Sequence, residues 1–438
     1  MSTHGGSSPK QFKASIGSFG NRRPRQRPRS KKHREPELIE TRLLRNPSPK
    51  AAAAYTPRNE LEDSRLRFQI HHYVTIVAAR TVTPVGPRFE WYPLAVRDEA
   101  FFHAVISATC AHSAYMQKVE RPSMFYYHRG IAIRLVNERI ATGAHDEGTI
   151  NAICVFAQHE CWMAQPSNAE THMRGLVQIV EAAGGHQFRS AFTDKCSTDL
   201  AVSLTVDVKP ILPPSVDLSD IKKYLGPPSA ATIALIKTFG TRFYNFTGSG
   251  LSDYAATVLW GLRNLSELVD AIHEERAFPD TVSPTDIQFS DQVEVLERLV
   301  HRLWYVEDAN SPQHTIFRTF GWTCLIYIYI VLRDLFKELG MMAMLAKRVK
   351  LALENCAELN VLLATFPDLM LWQMFTCGRV AAAREKWFFA QQATKILMVR
   401  KTEDASDILK AAESFLWPEK QTRNVASGHD SGMQYPSN

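Results

Sequence analysis

From Ser64 to about Trp417 the apolar positions recur at helical spacing, three and four residues apart. Residues 98–117, DEAFFHAVISATCAHSAYMQ, place Phe102, Val105, Ile106 and Thr109 on one face behind Asp98, an N-cap residue type. Residues 126–140, YYHRGIAIRLVNERI, put Tyr127, Ile131 and Leu135 in register, and Ile150, Ile153, Cys154, Ala157 and Cys161 follow the same period. The stretch SNAETHMRGLVQIVEAAGG opens on Ser167-x-x-Glu170, read as a capping box, carries Met173, Leu176, Val177 and Val180, and stops at Gly184–Gly185. Further helices are predicted over 231–246, 252–276, 287–307, 314–339, 341–365, 369–398 and 402–416.

Two proline-punctuated stretches read as loops, 209–230 with five prolines and 278–286. Leu204-Val206-Val208 is the one strand-like alternation, short and ambiguous. No 20–50-residue repeat and no sustained heptad is present, so solenoids and coiled coils fall away. The expected fold is all-α: one large multi-helix domain over 61–417, a disordered basic arm over 1–60 and a disordered tail over 418–438. The longest uncharged apolar run, WTCLIYIYIVL (322–332), is too short for a spanning helix of about 20 residues and reads as a core helix. With no signal-peptide pattern either, the expectation is a soluble intracellular protein without membrane contact.

Composition sharpens this picture at the N-terminus. The 438 residues are 45% hydrophobic and 22% charged, with a formal charge of +6. Residues 1–34 hold ten Lys/Arg and no acid, which leaves 41 bases against 45 acids in the remainder, a formal −4. A uniformly basic nucleic-acid surface on the folded part is therefore not expected. Residues 1–60 are rich in Ser, Gly, Pro, Arg and Lys and offer too little apolar surface to offset ordering entropy. Their densest stretch contains Arg22, Arg23, Arg25, Arg27, Arg29, Lys31, Lys32 and Arg34. Extended, proline-broken positive charge suits nuclear-import receptors and also phosphate backbones. It lacks aromatics for base stacking and a helix for a groove, so it does not read DNA sequence alone. Import signal, auxiliary phosphate contact and inert tail are the three readings.

Chemistry is sparse. The seven cysteines (Cys110, Cys154, Cys161, Cys196, Cys324, Cys356 and Cys377) form no C-x-x-C pair and read as buried reduced thiols. Phosphate-loop, dinucleotide, nucleophile-elbow and zinc-protease motifs are lacking, so no cofactor or metal is expected. TGSGLS (247–252) reads as a turn. His159 and Cys161 fall on different helix faces, as do His103 and His112, so the fifteen histidines read as ordinary core and surface residues. The aromatic-rich Trp304–Tyr329 region reads as core, with Phe317, Phe320, Cys324 and Tyr327 or Ile328 at helical spacing; a sensor pocket is the competing reading.

Two blocks carry a family resemblance. One runs through WYPLAVRDEAFFHAVISATCAHSA (91–114), 126–140 and INAICVFAQHECWMAQPSNAETHMRGLVQIVEAAGG (150–185); the other is FPDLMLWQMFTCGRVAAAREKWFF (366–389). Their order and spacing, with the Trp372…Gly378…Trp387 pattern, resemble the helical regulatory domain of fungal-specific transcription factors. The resemblance implies a non-enzymatic nuclear regulator of transcription, forming homodimers or heterodimers with other transcription regulators and answering to a small-molecule effector. It departs from the family pattern in one respect: the first cysteine is Cys110, so the six-cysteine zinc cluster that precedes such domains is missing. DNA contact is then indirect or auxiliary, either because the chain acts through partners or because a cluster lies upstream of Met1. Two rivals stay open. One is a cytosolic helical small-molecule-binding protein or enzyme of a biosynthetic pathway; the other is an interaction module that titrates zinc-cluster regulators.

Overall fold

The computed structural model describes residues 64–77, 91–144, 146–182, 195–212, 221–275, 284–303, 312–400 and 415–416. The chain divides into two units, Met1–Ile39 and Glu40–Asn438, and every described residue belongs to the second. The basic run, the 418–438 tail, Gly184–Gly185, Trp304 and most of 402–416 lie outside the described residues. Among the described residues every regular element is a helix and none is a strand, so the all-α expectation holds.

The first elements are α1 (Ser64–His72), which continues as a π turn (Tyr73–Val77), and α2 (Trp91–Ala95). They pack on α3 (Glu99–Gln117), the centre of a bundle with α4 (Ser123–Ala141) and α5 (Glu147–Trp162). Asp98 caps α3 by accepting from the Phe101 N–H at 2.9 Å, and Asp146 caps α5 through the Thr149 N–H at 2.8 Å. Arg139, in the last turn of α4, joins both caps: its Nη1 lies 2.8 Å from Asp98 Oδ2 and 3.4 Å from Asp146 Oδ1. Gly148 makes room for this knot, because a Cβ there would run into the Asp98 carboxylate.

Next comes α6 (Pro166–Ala182). Here the capping-box expectation fails. Pro166 occupies the first helical turn, where its missing N–H costs nothing, so Ser167 already lies inside the helix. Glu170 turns to Arg174 (2.7 Å), one turn on, instead of reaching back. The ambiguous Leu204-Val206 alternation also resolves: it belongs to α7 (Lys195–Val206). This helix packs against α5 and α6 on one side and α11 on the other, once α8 (Ile221–Leu225), α9 (Ala230–Thr247), α10 (Leu251–Glu275) and α11 (Pro284–His301) are in place. Burial on several sides takes Leu200, Val202 and Leu204 inside along with the polar Thr198, Asp199, Ser203 and Thr205, and tertiary packing outweighs the weak β preference of its valines. The proline-rich stretches are not wholly loop: α8 sits within the first and α11 starts at Pro284, within the second.

The third part diverges most from its periodicity. The predicted 314–339 helix is α12 (Pro312–Tyr327), ending in a π turn (Ile328–Leu332) in which the Arg333 N–H donates to the Ile328 carbonyl. The predicted 341–365 helix is two, α13 (Gly340–Glu354) and α14 (Leu359–Thr365), and 369–398 is likewise two, α15 (Pro367–Val380) and α16 (Ala383–Arg400). Pro367 stops α14, and the chain bends by 111° into α15. The α15–α16 break at extended Ala381 has no proline or glycine to announce it; Val380 and Ala381 are buried where α16 folds back onto α15.

One apolar core runs through all these elements, from Tyr73 to Leu416, beside a smaller cluster of Leu66, Ile106, Cys110, Ala111, Met124 and Phe125. Its aromatic centre joins Phe239, Phe243, Phe320, Tyr327, Trp372 and Phe415, with the Tyr327 hydroxyl 2.8 Å from Ser266 Oγ. The aromatic-rich segment is therefore core in its described part. His314–Leu332 alone among the described residues is long and apolar enough to cross a membrane, and 94% of that window is buried inside the protein.

A buried polar hub ties α7 to the rest. Arg333, released just after the π turn, makes two hydrogen bonds to Glu297 of α11 at 2.8 and 2.6 Å and one to Ser197 of α7 at 3.3 Å. The Arg333 and Glu297 side chains are 5% and 1% exposed. Arg348 of α13 donates to the Leu204 and Thr205 carbonyls at the end of α7, at 2.5 and 2.7 Å, where positive charge suits a helix C-terminus. Arg298 pairs with Glu294 at 2.9 Å and donates to the Leu212 carbonyl at 3.2 Å.

Two mutational outcomes follow from these contacts. Arg333→Met leaves Glu297 buried without its guanidinium and should lower unfolding free energy in urea by about 3–5 kcal/mol; a loss below about 1 kcal/mol would show the pair to be dispensable. Gly148→Ala should cost about 1–2 kcal/mol by evicting Asp98 from its cap and from Arg139, and almost nothing in an Asp98→Ala background. Additive losses in that double-mutant cycle would mean Gly148 acts through something other than Asp98.

Candidate functional site

α1 presents Leu66, Ile70 and Val74 along one ridge, four residues apart, with Arg67 and His71 beside them. Across from this ridge lie Val96 and Arg97, on the turn after α2, and Glu99, Phe102 and His103, on the first turns of α3. Together they enclose a cavity of about 880 Å³. Its wall is mixed: aliphatic and aromatic surface with two guanidinium groups, two imidazoles and one carboxylate. The π turn after His72 forms part of this wall; such turns widen a helix locally.

His103 is the buried polar group of the cavity. Its Nδ1 lies 2.6 Å from Nδ1 of His128 on α4, itself fully buried. One ring must donate and the other accept, so at least one of the two is neutral. A second pair lies further along α3, where His112 Nδ1 is 3.1 Å from His72 Nε2. Burial, with His71 adding repulsion, lowers His72 to about 4.

A third histidine cluster sits between α4, α5 and α6. Arg129 pairs with Glu160 at 2.8 Å and lies over the rings of Phe156 and Phe125. Asn168 donates to the other Glu160 oxygen, Oε2, at 3.3 Å, and His159 Nδ1 stands 3.6 Å from Oε1, beyond hydrogen-bond distance. Burial opposes the ionised Glu160, yet His159, Arg129 and Asn168 outweigh it and hold the carboxyl well below the usual carboxylate range. Burial lowers His159, and lowers His172 to about 3 with Arg129 adding to the effect. A paired carboxylate between neutral histidines orders three helices; it offers no activated nucleophile.

By sequence the histidines read as ordinary core and surface residues, and periodicity could not pair them. His103 and His112 are out of phase with each other, as expected, because each meets a partner on another helix. The signal available was the run of histidines at buried register, at His103, His112, His128, His159 and His172. No group of three His, Cys, Asp or Glu among the described residues is placed to hold a metal. Cys110, Cys154, Cys161, Cys324 and Cys377 are buried cysteines outside any disulfide, with Cys356 half-buried. Burial pushes Cys161 and Cys377 up to about 12, so neither supplies a thiolate. TGSGLS is a turn, as expected, with Gly248 in the left-handed region ending α9. Arg22, Arg23, Arg25, Arg27, Arg29, Lys31, Lys32 and Arg34 lie outside the described residues.

No family model, no curated protein and no solved structure matches this chain.

The buried titratable groups set an acid dependence of stability. His72, His172 and His301, the last lowered to about 3 by burial and Arg298, stay neutral in the folded protein below the ordinary histidine value of 6.5. The unfolded chain takes up these protons, so stability falls as pH drops from 6.5 towards 4. Asp199 acts oppositely. Burial raises it to about 6, against the N–H groups of Ile211 and Leu212 and the charge of Arg298, so it adds stability as pH falls from 6 to 4. His72, His172 and His301 against Asp199 leave a net uptake of about two protons on unfolding, to which His159, also lowered by burial, adds in the same direction. The unfolding free energy should therefore drop by about 2–3 kcal/mol per pH unit near pH 5. Urea titrations between pH 6.5 and 4.5 measure this slope; a flat profile would contradict neutral buried histidines.

Proposed function

We propose that the protein is a nuclear regulator of transcription, non-enzymatic, with a helical regulatory domain that works through partner proteins and contacts DNA indirectly. The observation that carries the reading is the coincidence of two features in one chain. One is the pair of sequence blocks, 91–185 and 366–389, whose order and spacing resemble the fungal-specific transcription factor regulatory domain. The other is the run from Arg22 to Arg34, eight bases without an acid. Support comes from the fold: the described parts of both blocks are helices joined by short turns, with Phe101, Val105, Phe156, Met173 and Trp372 inside one core. The basic run is the import signal, and its charge adds non-specific attraction to phosphate. Association with itself or with other transcription regulators supplies the sequence-specific DNA contact.

The cavity beside α1 favours one second reading, a cytosolic small-molecule-binding protein or enzyme. Localisation separates the two. A fluorescently tagged full chain should concentrate in the nucleus and redistribute to the cytoplasm when residues 22–34 are deleted. Nuclear exclusion that this deletion leaves unchanged would overturn the regulator reading.

A further inference from the structure

Trp387 does not join the core that Trp372 occupies: it stands on α16, 75% exposed. It belongs to a stripe along the helix, in which Ala383, Trp387, Ala390, Gln391, Thr394 and Met398 recur three or four residues apart and all are exposed. From Trp387 to Met398, itself 72% exposed, the stripe extends about 16 Å. The opposite side of α16 holds Phe389 and Ile396 in the core and packs on α15 and α13. We propose that the exposed face of α16 docks an acidic amphipathic helix of a partner protein.

Charge selects the occupant. The only acid of α16, Glu385, is buried and paired with Arg384 at 2.6 Å. Lys386 and Lys395 are exposed and project on opposite sides of the stripe, each roughly 90° from it at 3.6 residues per turn. The single acids of α13 and α15, Glu354 and Asp368, carry partners of their own, Lys350 and Arg400. The face is therefore a mixed apolar stripe with a large indole, edged by positive charge on both sides. A helix with Leu or Phe along one face and Glu or Asp along its edges complements both features, with Trp387 as the anchor. A second copy of α16 would set lysines against lysines. A lipid surface or a nucleic-acid duplex is a broad anion, and the chain beyond residue 34, at a formal −4, opposes it; a single helix covers this face alone.

As the contact through which a regulator works, this face rests on the function proposed above; as a docking site it does not. The test uses purified full-length protein, in which localisation plays no part, so each reading can fail alone. The probe is a labelled helical peptide of about 18 residues, with Leu or Phe at every third or fourth position and Glu elsewhere, followed by fluorescence anisotropy at about 0.15 M salt. It should bind saturably, and about tenfold tighter than a counterpart with Lys in place of every Glu. Trp387→Ala, at an exposed position that leaves the core untouched, should weaken the acidic peptide about tenfold or more. The double variant Lys386→Glu, Lys395→Glu should weaken it about fivefold or more and improve the basic counterpart. Attraction to the basic run at 22–34 responds to none of these changes. No binding of the acidic peptide, equal affinity for its counterpart, or an affinity that Trp387→Ala leaves intact would overturn the proposal. So would phosphatidylserine vesicles or a DNA duplex losing affinity on Trp387→Ala where the peptide does not.

Discussion

Arg333 is the side chain on which the arrangement of helices turns. It follows the π turn at the end of α12, and the extra residue in that turn brings its guanidinium to Glu297 on α11 and Ser197 on α7. A charge this deeply buried is tolerated only with its partner present, so α7, α11 and α12 are held in one relative position. With α7 fixed, the bundle of α3 to α6 and the helices from α11 onward share a single core. Arg348 reinforces the same junction by capping the end of α7 from α13. Asp199, on α7 itself, accepts from the Ile211 and Leu212 N–H groups and so ties down the chain that leaves the helix.

The N-terminal bundle is assembled on another principle. Its polar interior includes histidines paired ring to ring and others set beside a single Arg129–Glu160 ion pair, and burial lowers His72, His159 and His172. Neutral imidazoles fill core volume as aromatic rings do and satisfy one another by hydrogen bonding, which makes the bundle sensitive to acid. The cavity opens at the edge of this bundle, where α1 and α2 meet α3 and the packing of the core gives way to mixed charge and apolar surface.

The histidine pairs and the cavity show why a site can escape sequence reading. His103 and His128 are 25 residues apart on different helices, and no periodicity links them. The cavity draws on residues of several elements, and its arginines look like ordinary surface charge until the fold gathers them around one space with Phe102 and Glu99. The capping box at Ser167 misled for a local reason: Pro166 satisfied the start of the helix one position earlier. The continuous periodicity over 369–398 misled for a tertiary one. Each half is a good helix, and the fold-back at Ala381 is selected by burial of Val380 and Phe389, which no residue of the linker announces.

Binary pattern by itself determined that this chain is all-α, roughly where α3, α9 and α10 begin and end, and that Trp322–Leu332 belongs inside. Helical spacing of apolar residues and cap types such as Asp98 act within a turn or two, and so are legible locally. Tertiary structure decided what depends on separate helices meeting: that Leu204 and Val206 are helical, that α13 to α16 are four helices instead of two, that Arg333 finds Glu297, and that Arg67, Arg97 and Glu99 surround one apolar space. Those contacts join residues tens to more than a hundred positions apart, and their energy exists only once the core has formed around them.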